Sequence, residues 1–352
     1  MSTQHTQPFS RRRFLRGVTL AGTAGLLGVP SRPVAAEPPP ETTRLRVHHS
    51  LSLCLAPQYV AEELLRGEGF TEVHYVKSEE SGGFYPALAS GSADIGNDFA
   101  PVLIMHVDAG DPITILGGMH VGCFELFGTE RVRAIRDLKG KRVAVRGLGL
   151  PPHVFLASMV AYVGLDPAKD IHWVVHPSAE AMQLLADGKI DAFMGFPPEP
   201  QELRAKQIGH VVVSSAVDRP WSQYFCCMAV ANREFARRYP VATKRALRAM
   251  LKAADLCALE PDRAAQALVD RGVAKRYDYA LQTMQDVPYG KWREYDPEDT
   301  VRFYALRLHE VGMIKSTPQK IIEQGTDWRF FTELKKGLKG EWGRDLWSRG
   351  KG

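Results

Sequence analysis

The sequence lacks any arrangement of cysteines that is typical of a metal site. Its five cysteines are an odd number and include no Cys-x-x-Cys pair; they are Cys54, Cys123, Cys226, Cys227 and Cys257. This absence excludes the common zinc-binding modules and predicts no metal. Cys257 follows Leu247, Met250, Leu251 and Ala254 along the apolar face of a predicted helix, so we expect a buried thiol. A disulfide between Cys54 and Cys123 remains open.

No apolar run long enough to span a membrane follows the N-terminal basic residues. The chain reads Ser-Arg-Arg-Arg-Phe-Leu-Arg at residues 10–16, and the Gly/Ala-rich apolar run after it is short and ends near Ala35 and Ala36. These features predict a twin-arginine signal peptide over residues 1–36 and export to the periplasm. The proline-rich residues 37–43 are predicted to form an extended tether.

The mature chain also lacks an excess of charge. The whole sequence has a net charge of +5, but five arginines and no acidic residue precede Glu37. The mature part is therefore balanced, and charge provides no argument for binding to nucleic acid or to a membrane surface.

Catalytic signatures are missing as well. None of the histidines lies in a His-Glu-x-x-His pair, and the sequence contains no Gly-x-Ser-x-Gly turn. Asp94 and Asp191 occupy equivalent places in a repeat, which favours turn or capping roles over a catalytic pair. We therefore expect a protein that is not an enzyme and needs no cofactor.

What the sequence does contain is an internal repeat. Residues 88–95, Leu-Ala-Ser-Gly-Ser-Ala-Asp-Ile, are matched by residues 185–192, Leu-Ala-Asp-Gly-Lys-Ile-Asp-Ala, at an offset of 97 residues. Each half alternates strands and helices, which predicts α/β lobes whose mainly parallel sheets are flanked by helices. The predicted first lobe comprises 44–131 and 221–352, with a helical C-terminal extension, and the second lobe comprises 132–220.

Ligands of such sheets bind beyond the carboxyl ends of the strands. The loop of residues 146–153 offers the N–H groups of residues 147–150 to an anion, and Arg146 either adds charge or is a plain surface residue. Asn97 and Asp98 precede a predicted helix, where they contact ligand or act as N-caps. Phe196 and Glu199 are further candidates, with packing and solvation as the respective alternatives.

Three segments carry a resemblance to a known family: Ala-Pro-Gln-Tyr-Val-Ala at 56–61, the repeated Leu-Ala-x-Gly segments, and Leu-Lys-Gly-Lys-Arg-Val-Ala-Val at 138–145. Over about residues 45–270 the chain resembles the solute-binding proteins of nitrate/sulfonate/taurine-type ABC importers, which share their fold with thiamine-pyrimidine synthases. The resemblance implies the two-lobed periplasmic-binding-protein fold of type II. It also implies a monomer that captures a small solute between its lobes and delivers it to a membrane permease and its ATPase.

By position, the resemblance and the loop argument together assign the pocket to Ser52, Cys54, Gly83, Asn97, Asp98, Phe99, His120, Arg146, Gly147, Gly149, His153, Phe196, Glu199 and Trp221. Many relatives have hydroxyl side chains in the second-lobe loop, where this chain has Leu148, Leu150, Pro151 and Pro152. We therefore expect an organic sulfonate, a carboxylate or a heteroaromatic solute in preference to a bare inorganic anion. The alternative is a pyrimidine-synthase-like enzyme, which would need a lysine for a pyridoxal cofactor and a histidine.

Overall fold

The computed structural model describes residues 37–77 and 83–338. The predicted signal peptide, residues 1–36, lies outside the described residues. Among the described helices, none is both long enough and apolar enough to cross a membrane. Both lobes belong to one compact unit that begins at Pro39.

The first lobe is built on a five-stranded sheet. Its strands, in spatial order, are β2 (Glu72–Lys77), β1 (Arg44–His49), β3 (Ile95–Phe99), β10 (Phe225–Asn232) and β4 (Ile113–Val121). β1 is parallel to β2 and β3, whereas β10 is antiparallel to both of its neighbours. All residues of β10, an inner strand, and of β4, the edge strand beside it, are buried.

The second lobe repeats this arrangement. Its strands, in spatial order, are β7 (His172–Val175), β6 (Arg142–Val145), β8 (Ala192–Gly195), β5 (Glu125–Gly128) and β9 (His210–Ser214). β6 is parallel to β7 and β8, and β5 is antiparallel to β8 and β9. The predicted α/β fold with two mainly parallel sheets is therefore confirmed. In each sheet the antiparallel strand, β10 or β5, is the one that the chain enters directly from the other lobe.

The predicted boundary between the lobes needs a correction. The strand β5 was assigned to the first lobe from sequence, but it pairs within the second sheet. The chain therefore crosses at residues 122–124, before the expected boundary at 131. The return crossing comprises residues 215–224, because β9 ends at Ser214 and β10 begins at Phe225.

The two crossings are hydrogen-bonded to each other. The hydroxyl oxygen of Ser215 accepts the N–H groups of Cys123 and Phe124 at 3.1 and 2.9 Å. Gly122 has φ +58, and a Cβ placed there would lie 2.2 Å from Ala216 Cα. Glycine is thus required at this close approach of the two chain segments.

The repeated aspartates are structural. Asp94 accepts the backbone N–H of Arg46 at 2.7 Å, and Asp191 accepts that of Arg142 at 2.9 Å. Each carboxylate therefore joins the end of a repeat helix to the first strand of its own lobe. This equivalence agrees with the turn role predicted for both residues.

Helices cover both faces of each sheet, and most of them begin with proline at the first or second position. Their bounds before β10 are Ala56–Val60, Glu62–Gly67, Phe84–Ser90, Ala100–Ala109, Pro151–Tyr162, Ser178–Ala186 and Glu199–Ala205. After β10 they are Arg233–Arg238, Pro240–Leu259, Pro261–Asp270, Tyr277–Asp286, Pro297–Glu310 and Pro318–Gly325.

The helical extension after β10 packs on the first lobe. The side chain of Phe331 lies so close to Gly117 of β4 that a Cβ there would meet it at 2.3 Å. Cys257 and Trp292 are fully buried in this extension, and the Trp292 indole donates to Asp255 at 3.0 Å. The buried thiol expected for Cys257 is confirmed.

The back of the space between the lobes is filled by aromatic rings. Phe155 of the second lobe lies 5.3 Å from Phe99 of the first lobe and 5.7 Å from Trp221 at the return crossing, measured between ring centroids. These edge contacts hold the lobes together behind the carboxyl ends of the strands.

Candidate functional site

A cavity of about 210 Å³ lies between the two lobes, in front of the aromatic rings. Its lining comes from the loops after the parallel strands β1, β6 and β8, from the last two residues of β3, and from Phe124 and Cys227. This is the position at which open α/β sheets bind ligands. Since liquid water takes up about 30 Å³ per molecule, the volume corresponds to about seven waters, which suits a small organic molecule or ion.

Six of the predicted site residues line this cavity: Ser52, Cys54, Asp98, Phe99, Arg146 and Phe196. Seven further lining residues were not predicted as contacts: Ser50, Leu55, Phe124, Leu150, Pro151, Pro152 and Cys227. Ser50 and Leu55 lie in the same loop as the predicted residues Ser52 and Cys54. Leu150, Pro151 and Pro152 were noted in the sequence only because they replace the hydroxyl side chains of many relatives. Phe124 carried no sequence signal.

Arg146 supplies the positive charge of the cavity. It follows β6, is exposed to the cleft, and forms no hydrogen bond or ion pair within residues 37–77 and 83–338. Its guanidinium carbon lies 5.6 Å from the centroid of the Phe196 ring, which limits its orientation. An unpaired, oriented guanidinium is well suited to bind a carboxylate, sulfonate or similar oxyanion.

Asp98 supplies an ionisable carboxyl group on the first lobe. Its Oδ1 accepts the N–H of Phe99 at 2.7 Å, and its Oδ2 accepts the hydroxyl of Tyr85 at 3.1 Å. Burial, followed by the neighbouring charge of Cys54, raises the pKa of Asp98 from 3.8 to about 6, against these two hydrogen bonds. The alternative capping role is not realised, because the helix Ala100–Ala109 has Phe99 at its N-cap and no side-chain cap.

Cys54 and Cys227 form the floor of the cavity on the first lobe. All five cysteines are free thiols, and the 3.2 Å contact between sulfur atoms joins Cys123 to Cys226, not Cys54 to Cys123. Cys227 was not among the predicted site residues; it lies beside Cys226 in the buried strand β10. Strand alternation places Cys226 and Cys227 on opposite faces, which is the signal that could have identified one of them.

Two N–H groups of the predicted anion-binding loop already have hydrogen-bond partners within the loop. The N–H of Gly149 donates to Nδ1 of His153 at 3.0 Å, and the N–H of Leu150 lies 3.4 Å from the carbonyl oxygen of Gly147. Gly147, Gly149 and His153 do not line the cavity, which leaves Arg146 as the anion partner in this loop. Burial lowers the pKa of His153, so this ring is neutral at neutral pH.

Glu199 and Trp221 support the structure around the cavity without lining it. Glu199 is 8% exposed, and its carboxylate accepts the N–H of Phe196 at 3.1 Å, so it shapes the loop that carries Phe196. Burial raises its pKa. Trp221 is 2% exposed and packs between Phe155, Tyr162 and Phe303. Neither residue lines the cavity.

Three remaining predicted residues also lie outside the lining of the cavity. Asn97 is completely buried, and neither polar atom of its amide has a hydrogen-bond partner within the part of the chain that the structure describes. His120 is completely buried on β4. Gly83 has φ +116 and immediately precedes the helix Phe84–Ser90.

Comparison with known proteins agrees with this fold. The model of the NMT1-like family matches residues 39–270. The nitrate-binding protein NrtA from Synechocystis PCC 6803 has a similar fold, with a TM-score of 0.67 and 16% identity over 86% of this chain and 90% of that one. The aliphatic sulphonate binding protein SsuA from Escherichia coli has a TM-score of 0.63 and 17% identity over 82% of this chain and 94% of that one.

A shorter match was found among curated proteins. The bicarbonate-binding protein CmpA from Synechococcus elongatus is 28% identical over 109 residues, which are 31% of this chain and 24% of CmpA. The match thus spans about a quarter of the curated relative. The predicted fold and the resemblance on which it was based are confirmed, and the chain belongs to the NMT1-like family.

Proposed function

We propose that this protein is the exported solute-binding component of an ABC importer, and that it captures a small anionic or zwitterionic organic solute between its lobes. The single observation that carries the proposal is the cavity of about 210 Å³ at the carboxyl ends of strands from both lobes. The delivery partners implied are a membrane permease and its ATPase, with the binding protein acting as a monomer.

The chemistry of the cavity supports a solute with two different ends. Arg146 on the second lobe suits an oxyanion, and Asp98 on the first lobe suits a hydrogen-bond donor when it is ionised. Between them, Phe99, Phe124 and Phe196 offer apolar surface. The named relatives are described as binding nitrate, sulphonate and bicarbonate, which are all small oxyanions. This chemistry favours a carboxylate or sulfonate that carries an apolar or heteroaromatic part.

The proposal is tested by calorimetry of the purified mature protein with taurine, alkanesulfonates, aromatic carboxylates, pyrimidines, nitrate and bicarbonate. We expect one organic anion to bind with a stoichiometry of one. Arg146→Gln should weaken this binding by at least tenfold, because the anionic group of the solute loses its charge partner. Arg136→Gln is the matched control, since Arg136 is an exposed arginine of the same lobe that does not line the cavity. Equal affinity of both variants would contradict the assigned role of Arg146.

The enzyme alternative is disfavoured by the lining of the cavity. Among the described residues that form it, none is a lysine, whereas a pyridoxal cofactor needs one for its Schiff base. Native mass spectrometry separates the two functions. Release of an unaltered solute agrees with binding, whereas turnover of that solute or a covalently held cofactor would support catalysis.

Export and closure belong to the same proposal. The basic N-terminal segment supports twin-arginine export, and Arg12→Lys together with Arg11→Lys is expected to retain the precursor in the cytoplasm. The two crossings joined by Ser215 are the natural hinge between the lobes. Small-angle scattering is expected to show compaction on addition of the solute identified by calorimetry.

A further inference from the structure

We propose that Cys54, His120 and Cys227 form a binding site for one thiophilic metal ion at the floor of the cleft. The sulfur atoms of the two cysteines and a ring nitrogen of His120 all lie within 4.8 Å of one another. Tetrahedral zinc, with sulfur ligands at about 2.3 Å and nitrogen at about 2.0 Å, holds its ligand atoms about 3.5–3.8 Å apart. Small side-chain rotations therefore suffice to bring the three atoms onto one ion.

The backbone positions the three residues independently. His120 on β4 and Cys227 on β10 are direct cross-strand partners, and the ladder has register shifts on both sides of Cys227. Such irregularities locally redirect side chains and are common next to functional sites. Cys54 comes from the turn Leu53–Leu55 after β1, where the Tyr289 hydroxyl donates to the Cys54 carbonyl at 2.9 Å.

The state of the His120 ring fits a ligand. Its Nδ1 lies 3.1 Å from the Gly122 carbonyl and 3.3 Å from that of Val121, and carbonyl oxygens can only accept hydrogen bonds. Nδ1 is therefore the nitrogen that donates, which leaves Nε2 as the ring atom able to bind a metal ion. Nε2 is buried and has no hydrogen-bond partner among residues 37–77 and 83–338. A metal-bound histidine typically shows this arrangement, in which the second ring nitrogen donates to a backbone carbonyl.

The cysteines are equally suited to the role. Cys54 and Cys227 both line the cavity, so the open coordination position of the ion faces the cleft. Two thiolates and one imidazole suit Zn²⁺ or Cu⁺ and disfavour hard cations such as Ca²⁺ and Mg²⁺. The inference does not depend on the identity of the solute.

The site is tested on the mature protein, purified with a reductant and stripped with EDTA. Zn²⁺ is titrated in competition with a chromogenic chelator, Cu⁺ is titrated without oxygen in the same way, and Co²⁺ is added as a spectroscopic probe. We expect one ion per chain and a thiolate-to-cobalt charge-transfer band. Cys54→Ser, Cys227→Ser and His120→Gln are each expected to lower the affinity by at least tenfold.

Two control variants separate this site from other thiols. Cys257→Ser removes a buried cysteine of the helix Pro240–Leu259 that is not one of the three proposed ligands, and Cys226→Ser removes the neighbour of Cys227 that contacts Cys123. Both are expected to retain metal affinity, and thermal melting without metal confirms that every variant is folded. Peptide mapping without reductant counts the free thiols. The proposal is overturned if no ion binds at one equivalent, if the controls lose as much affinity as Cys54→Ser, or if Cys54 and Cys227 are found joined in a disulfide.

Discussion

Replacing Trp221 with alanine tests whether this residue stabilises the return crossing or contacts the solute. The side chain is 2% exposed and its ring lies 5.3 to 5.9 Å from the rings of Tyr162, Phe155 and Phe303. A buried tryptophan covers about 200 Å², which at about 25 cal/mol per Å² corresponds to about 5 kcal/mol. Measured truncations of this kind cost about 3–5 kcal/mol. We expect Trp221→Ala to lower the free energy of unfolding by about 4 kcal/mol.

The assay is urea denaturation followed by circular dichroism, with and without the solute identified by calorimetry. Trp221→Phe keeps part of the ring contacts, so it is expected to lose less stability than Trp221→Ala. Tyr277→Ala is the control for truncation of an aromatic side chain that is 38% exposed, and it is expected to cost less than about 1 kcal/mol. Both Trp221 variants should bind the solute with nearly unchanged affinity wherever they are folded. A Trp221→Ala protein of normal stability that no longer binds solute would refute this reasoning and return Trp221 to the binding site.

Two further predictions concern a charge and a backbone position. Because the pKa of Asp98 is about 6 when folded and its ordinary value is 3.8, the folded protein holds a proton that the unfolded chain has lost between these values. The free energy of unfolding should therefore fall, by at most about 3 kcal/mol, as the pH rises from about 4 to about 6. In denaturation experiments with EDTA present, Asp98→Asn should not show this fall, whereas the exposed control Asp270→Asn should still show it. Gly122→Ala should lower the free energy of unfolding by more than the control Gly140→Ala. Both glycines have positive φ, but only at Gly122 would the added Cβ meet another chain segment, 2.2 Å from Ala216 Cα. Equal losses in the two glycine variants would show that the contact at the crossing contributes nothing.

Local sequence patterns were sufficient to predict the fold. The repeat of Leu-Ala-x-Gly around Asp94 and Asp191 marks a unit in which this aspartate accepts a backbone N–H of a neighbouring parallel strand, β1 in the first lobe and β6 in the second. Proline at helix starts and apolar periodicity, as around Cys257, likewise act over a few residues. Such short-range features can be recognised from neighbouring residues in the sequence.

The first crossing and the details of the site depended on contacts between distant segments. β5 joins the second sheet because its backbone pairs with β8 and β9, and no local feature of Glu125–Gly128 distinguishes this pairing from one in the first lobe. Glu199 and Trp221 are polar or aromatic residues near the cleft, but packing turned both away from its lining.

The sequence by itself determined the two α/β lobes, the loops that face the cleft and the charge of Arg146. Only the tertiary structure decided that Cys54, His120 and Cys227 meet, because they come from a turn and two strands that are far apart along the chain. No spacing rule connects such residues. Their proximity follows from the antiparallel register of β10 against β4, which places Cys227 opposite His120, and from the turn after β1 that brings Cys54 to the same end of the sheet.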